Sequence, residues 1–102
     1  MIRIVLKSDT TWDKSSYFPR DRLILLGTQG TINEISLTLA HEIGHAITVP
    51  SQSLSTWEVI ESEIKAWEWA KSRLAHRWTK GASKFAIRSL RTYGIRAAPG
   101  IF

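Results

Sequence analysis

The 102-residue chain contains no cysteine, so disulfide bonds and thiolate metal ligands are excluded. Any metal site must therefore be built from histidine, aspartate or glutamate. Long apolar runs are also missing, because no stretch approaches the ~20 residues that span a bilayer, and we expect no contact with a membrane. The N-terminal run MIRIVLK is too short for a secretory signal and predicts a strand instead, so we expect a cytoplasmic protein.

Acidic residues are scarce in the second half of the chain. Residues 65–102 hold nine Lys/Arg against a single acid, Glu68, whereas residues 1–64 hold five Lys/Arg against eight Asp/Glu. Four basic residues recur at spacings of three and four and predict a positive stripe on one helix: Lys80, Lys84, Arg88 and Arg91. Such a stripe suits nucleic acid or an acidic protein, but a solvated helical face explains most charge runs and is the interpretation we favour.

The hydropathy pattern predicts one α+β domain over residues 1–102. Two short strands are predicted, at Ile2–Lys7 and Arg22–Gly27, and the polar segment between them predicts a loop that ends in a turn at Pro19. We expect a small antiparallel sheet packed on about three helices.

The first helix has a clear start signal. Thr31 and Glu34 have the spacing of a capping box, and the apolar positions that follow predict a helix to about Thr48. This helix must stop before Pro50, because the residue before a proline is disfavoured in helical conformation.

Two further helices are expected in the basic half of the chain. A second capping signal, Ser55-x-x-Glu58, predicts a helix from about Thr56 into the high 70s. Gly81 then separates it from a third helix, Ser83–Tyr93, which Gly94 closes as a C-cap. The apolar stripe of the second helix includes three tryptophans that we expect in the core: Trp57, Trp67 and Trp78.

The segment His41–His45, HEIGH, combines two histidines and a glutamate inside an apolar helix. Residues four apart lie on one helical face, so both imidazoles can reach one ion, and Glu42 can reach only what is held in front of them. This spacing is that of zinc peptidases, in which the glutamate is the general base. Burying an acid with no cation nearby in sequence would otherwise be costly, which favours the metal interpretation.

A catalytic zinc ion usually takes three protein ligands, so a third is expected on the second helix. On a helical wheel, Glu63 and Glu68 lie nearer the apolar stripe than Glu58 and Glu61 do. Glu63 shares its flank with alanines that would let another helix approach closely, whereas Glu68 shares its flank with charged residues. We predict Glu63 as the third ligand.

With these residues, the chain resembles the ImmA/IrrE family of zinc metallopeptidases, within the wider gluzincin group. LTLAHEIGHAI is similar to the family's Ala-His-Glu-Leu-Gly-His helix, and Glu63, Ala66, Trp69 and Ala70 match its Glu-x-x-Ala-Asn-x-Phe-Ala pattern, with Trp67 in place of the asparagine. The resemblance covers roughly residues 22–74. It implies a minimal zincin-like fold, a Zn²⁺ cofactor and cleavage of a peptide bond in a protein substrate such as a regulator or repressor.

Several functional questions stay open at this level. The donor that stabilises the oxyanion is unassigned, with Tyr17 and Tyr93 as candidates, because His76 lies far from Glu63 on a continuous helix. The strand at Arg22–Gly27 is either an exposed edge that pairs with substrate, as in gluzincins, or an interior strand. The alternative function is a catalytically idle, zinc-containing basic module that binds nucleic acid or a protein partner. A weaker alternative is a DNA-associated protease with His76 as the third ligand.

Overall fold

The computed structural model describes residues 1–48 and 56–95 of the chain. Three strands come first: β1 (Arg3–Thr11), β2 (Ser16–Phe18) and β3 (Leu23–Gln29). Three α-helices follow: α1 (Ile32–Thr48), α2 (Thr56–Leu74) and α3 (Lys80–Arg91). The predicted α+β class, with a small sheet and three helices, is confirmed.

The three strands form one mixed sheet in the order β1-β3-β2. β1 runs parallel to β3, and β2 runs antiparallel to it. The prediction of an antiparallel sheet is therefore wrong for one of the two strand pairs. Alternating hydropathy identifies strands without giving their direction, and a parallel pair needs a crossover, which residues 12–22 provide here.

The sequence analysis missed β2, which lies inside the segment predicted as a loop. Tyr17 and Phe18 are aromatic residues that favour strands, but the segment is too short and too polar to show an alternating pattern. The predicted turn after it is present, and there the Arg22 amide donates a hydrogen bond to the Pro19 carbonyl at 3.3 Å. β1 also extends to Thr11, four residues beyond its predicted end.

Helix α1 begins at the predicted capping box. The Glu34 amide donates to Thr31 Oγ1 at 3.1 Å, and the Thr31 amide donates to Glu34 Oε1 at 2.9 Å, so each side chain satisfies a free amide of the other residue. The helix packs against β3, whose Ile24 and Leu26 side chains are buried. It ends at Thr48 as predicted, and Pro50 lies outside the described residues.

Helix α2 begins at Thr56 as predicted but ends at Leu74, short of the high 70s. Ala75 has a φ of 49°, a left-handed conformation that a right-handed helix cannot continue through, and a 3₁₀ turn follows at Ala75–Arg77. No sequence signal marks this end, because alanine is a strong helix former. The Ser55 capping position lies outside the described residues.

Helix α3 begins three residues before its predicted start. Thr79 Oγ1 accepts a hydrogen bond from the Ala82 amide at 3.1 Å, so Thr79 is the N-cap and Gly81 lies within the first turn. At the other end Gly94 has a φ of 79°, and the Ile95 amide donates to the Leu90 carbonyl at 3.2 Å. This six-to-one hydrogen bond confirms the predicted glycine cap.

The hydrophobic core lies between α2 and α3 and contains Trp67, Ala70, Ala86 and Leu90. Trp67 is buried as predicted, and Trp78 is half-buried against the same core. The prediction for Trp57 is wrong, because its side chain is 68% exposed near the start of α2. Within residues 1–48 and 56–95, none of the helices has the length and apolarity needed to cross a membrane.

Candidate metal centre

Three side chains from α1 and α2 converge on one point. His41, His45 and Glu63 each offer a ligand atom, and these atoms all lie within 4.8 Å of one another. His41 Nε2 lies 3.1 Å from Glu63 Oε2, and His45 Nε2 hydrogen-bonds the same oxygen. The three predicted ligands are therefore brought together by the fold, and the group can hold a metal ion.

The close approach of the two helices depends on small residues. A Cβ on Gly44 would lie 2.5 Å from the Ala66 carbonyl oxygen, so any larger residue at this position would force the helices apart. Ala66 and Ala70 are both fully buried. Ala66, from the alanine flank that favoured Glu63 in the sequence, thus contacts α1.

The competing glutamates of α2 lie away from this point. Glu63 is 3% exposed, whereas Glu58, Glu61 and Glu68 are exposed on other faces of the helix. His76 lies on the exposed 3₁₀ turn after α2 and does not belong to the cluster. This placement disfavours the protease alternative in which His76 is the third ligand.

The charge states of Glu63 and His41 suit a cation. Burial would raise the pKa of Glu63, but hydrogen bonds to His41 and His45 outweigh burial and lower it, so the carboxylate is ionised. Burial lowers the pKa of His41, which favours its neutral form, the form that binds metals. For His45, burial is outweighed by the hydrogen bond to Glu63 and by its charge, and the pKa is raised.

Glu42 lies beside the three converging residues without joining them. Its Oε1 atom is 3.8 Å from His41 Nδ1, and its side chain is buried. Burial raises the pKa of Glu42 from 4.5 to about 7. A carboxylate with a pKa near neutrality is matched to general-base catalysis at neutral pH.

Trp67 has a role near the site that the sequence did not indicate. Trp67 stacks on His41 with ring centroids 4.3 Å apart and an angle of 9°, and its Nε1 donates to Ser89 Oγ at 3.3 Å. Trp67 therefore fixes the His41 ring and links it to α3. Its spacing of four from Glu63 on α2 was the available signal, since it places both residues on one helical face.

Two cavities flank the cluster and meet at Glu42. One, of about 240 Å³, is lined by His41 and by four aromatic residues, and we call it the aromatic cavity. The second, of about 270 Å³, contains His45, Glu63 and Tyr17. Tyr93 lines both, and burial, with hydrogen bonding to Glu63, raises its pKa, so its hydroxyl stays protonated as a donor.

The fold also decides between the two roles considered for the strand at Arg22–Gly27. This strand is β3, which is paired on one side with β1 and on the other with β2. Its backbone is therefore not free to pair with a substrate. β2 is at the edge of the sheet, and Ser16 and Tyr17 of this strand line the second cavity.

The predicted basic stripe is present on α3. Lys80, Lys84, Arg88 and Arg91 are all exposed on this helix. Of the four, Arg88 also lines the aromatic cavity. The stripe thus adjoins the candidate site at one residue only.

Comparisons with protein-family models, with curated proteins and with solved structures find no match for this chain. The function must therefore be inferred from the site itself.

The buried Glu42 predicts a pH-dependent stability of the metal-free protein. Because its pKa is raised on folding, its contribution to stability is fully present below pH 4.5 and is lost as the pH rises to about 7. Glu42→Gln removes this loss. The free energy of unfolding of the variant, relative to that of the wild type, should therefore rise by about 2–3 kcal/mol when the pH is raised from 5 to 8. Urea denaturation in EDTA at both pH values measures the difference.

The matched control is Glu61→Gln, at an exposed position of α2. The free energy of unfolding of Glu61→Gln should differ from that of the wild type by the same small amount at both pH values. An equal effect of pH on the two variants would contradict the burial of an ionisable Glu42.

Proposed function

We propose that the chain is a zinc-dependent metallopeptidase that hydrolyses a peptide bond in a protein substrate. The observation that carries the proposal is the convergence of His41, His45 and Glu63 beside a buried carboxyl, Glu42, whose pKa is about 7. A purely structural role of this cluster would not require the adjacent acid. The acid is costly to bury and has the pKa of a general base.

The donor set fits zinc. Two imidazoles and one carboxylate are the protein ligands of one well-known kind of catalytic zinc site, in which the fourth position is left for water or substrate. Each of the three residues offers one ligand atom, and these atoms lie within 4.8 Å of one another, so a single ion could contact all three. When bound, zinc lowers the pKa of water and polarises a carbonyl oxygen.

Glu42 acts as the general base in this proposal. Its position between the two cavities lets it accept a proton from the attacking water and pass it to the leaving amine. The low exposure of the carboxyl keeps bulk water away, which keeps its pKa close to the working pH.

Tyr93 is the donor that we assign to the oxyanion. It lines both cavities together with Glu42, whereas Tyr17 lines only the second one. The backbone of Tyr93 is held at the end of α3, where its amide donates to the Leu90 carbonyl at 3.0 Å, and its side chain is 46% exposed. A hydroxyl donor beside Glu42 can stabilise negative charge that develops on a carbonyl oxygen.

The resemblance to the ImmA/IrrE family supports the same function. It adds a substrate class, a regulatory protein such as a repressor, that the site alone does not indicate. β2 lies beside the second cavity and is paired with a described strand on one side only. An extended substrate would pair with its other side.

The second candidate function is a basic binding module that keeps zinc for structure. The exposed stripe Lys80, Lys84, Arg88 and Arg91 favours it, because an unbroken positive helical face can bind nucleic acid backbone or an acidic protein. This module would have no use for Glu42, so the two candidates differ in their dependence on that residue.

The third ligand provides a test of the metal centre. Glu63→Ala should weaken zinc binding by more than about 100-fold, since losing even an outer partner of a ligand costs 10- to 100-fold. Peptide hydrolysis should fall in parallel. Zinc per molecule, measured by mass spectrometry after gel filtration, and zinc affinity by competition with a chelator check the expectation.

Glu61→Ala is the matched control, because it removes the same side chain from an exposed position two residues away. It should retain about one zinc per molecule. If Glu61→Ala or Glu68→Ala lost zinc while Glu63→Ala kept it, the assignment of the third ligand would be wrong.

A further inference from the structure

The aromatic cavity lies next to the proposed base, and three of the four aromatic rings that line it come from different elements. Trp12 follows β1, Trp67 belongs to α2 and Phe85 belongs to α3. The ring centroids of Trp12 and Phe85 are 5.0 Å apart, and those of Trp67 and Phe85 are 5.9 Å apart. The rings pack on one another and therefore form a fixed wall.

The serine and threonine hydroxyl groups of the cavity make hydrogen bonds within the chain. Thr38 Oγ1 donates to the Glu34 carbonyl at 2.7 Å, and Thr92 Oγ1 donates to the Ser89 carbonyl at 2.6 Å. Ser89 Oγ accepts the Trp67 indole hydrogen bond. A ligand group in the cavity would therefore meet mainly ring and methyl surface, which favours an apolar group.

The two exposed charged residues of the cavity do not favour one sign of ligand. Asp13 and Arg88 both line it, both are exposed, and their charges are opposite. Selection in this cavity must therefore depend on size and apolarity. An apolar cavity of about 150 Å³ binds benzene, so about 240 Å³ is enough for a phenyl or an indole ring.

From these observations we propose that the aromatic cavity holds a large aromatic side chain of the substrate, at a residue adjoining the cleaved peptide bond. The inference rests on the proposed peptidase function, because Glu42 and His41 line the same cavity. With this inference, the proposed substrates are proteins with an exposed or extended segment that contains Phe, Tyr or Trp at the cleavage site.

The first experiment measures binding without zinc or catalysis. N-acetyl-phenylalaninamide and N-acetyl-alaninamide are titrated into the metal-free protein, and NMR shifts of the Phe85 and Ser89 amides report occupancy. Burying one side chain of this size changes a binding equilibrium about 10- to 100-fold, so the phenyl probe should bind at least 10-fold more tightly. Equal binding of the two probes would overturn the proposal.

The variant for both experiments is Thr92→Phe, which adds bulk at an exposed position that lines the cavity. Its matched control is Arg91→Phe, at the neighbouring exposed position, which does not line the cavity. Thr92→Phe should remove the preference for the phenyl probe, and Arg91→Phe should retain it. A preference that survives Thr92→Phe would place the probe elsewhere and contradict the assignment.

The second experiment identifies cleavage sites in a mixed peptide library with zinc-loaded protein. The wild type and Arg91→Phe should cut beside Phe, Tyr or Trp at least 10-fold faster than beside Ala, and Thr92→Phe should lose this preference. Cleavage with no side-chain preference would overturn the cavity assignment and leave the peptidase function standing. Phenyl binding with no cleavage of any peptide would reject the peptidase function and the substrate assignment together.

Discussion

Glu42→Gln is expected to lower kcat for peptide hydrolysis by about 100- to 10,000-fold while the protein keeps its zinc. The range is that of a lost general base. The amide has nearly the shape of the protonated acid and fits the same buried position, but it cannot accept the proton of the attacking water. Hydrolysis of a fluorogenic peptide and zinc content by mass spectrometry, measured on the same preparations, check the two halves of the expectation.

Glu61→Gln makes the same chemical change on an exposed face of α2 and should leave kcat within about twofold of the wild type. The comparison also separates the two candidate functions. If Glu42→Gln left every measured activity unchanged, the peptidase proposal would fail and the basic binding module would become the better explanation of the chain.

The ligand geometry was predictable because it depends on local structure. Residues four apart on a helix share a face whatever the rest of the fold does. The side chains of His41 and His45 therefore lie close together as soon as α1 forms. Glu63 was predicted from its neighbours on α2, because the small side chains of Ala66 and Ala70 mark the face where a second helix can approach. Their complete burial agrees with it.

The sheet could not be predicted to the same depth, because its arrangement is set by contacts between distant segments. The direction of β1 relative to β3, and the place of β2 on the other edge, leave no trace in local hydropathy. Trp57 shows the same limit: its spacing matches the apolar stripe of α2, but no other described element covers the first turn there, and it is exposed.

The residues that surround the site could not be predicted from local sequence patterns either. Tyr93 reaches Glu63 and Glu42 only because α3 folds back across α2, and the sequence offers no pattern that pairs residues 30 or 51 positions apart. Trp67 illustrates an intermediate case. Its burial followed from periodicity, but its stacking on His41 required the crossing of α1 and α2 to be known.

His41→Ala and His45→Ala are each expected to abolish zinc binding and the stability that zinc provides. A ligand that binds only the folded state stabilises it by about 3–4 kcal/mol at concentrations 100 to 1,000 times its Kd. In a domain of this size each kcal/mol raises Tm by about 4–8 °C, so zinc should raise the Tm of the wild type by at least 10 °C. Neither variant should respond to zinc. Thermal denaturation followed by circular dichroism, with zinc and with EDTA, gives the six Tm values needed for the wild type and the two variants.

His41→Ala and His45→Ala should also change the stability of the metal-free protein. Each substitution removes one hydrogen-bond partner of Glu63, whose carboxylate is 3% exposed, so the variant should also be less stable than the wild type in EDTA. His76→Ala removes the one histidine outside the cluster, at an exposed position, and should match the wild type both with zinc and without it. A zinc-induced rise in Tm that persisted in either His41→Ala or His45→Ala, or that disappeared in His76→Ala, would show that the metal binds somewhere other than between α1 and α2.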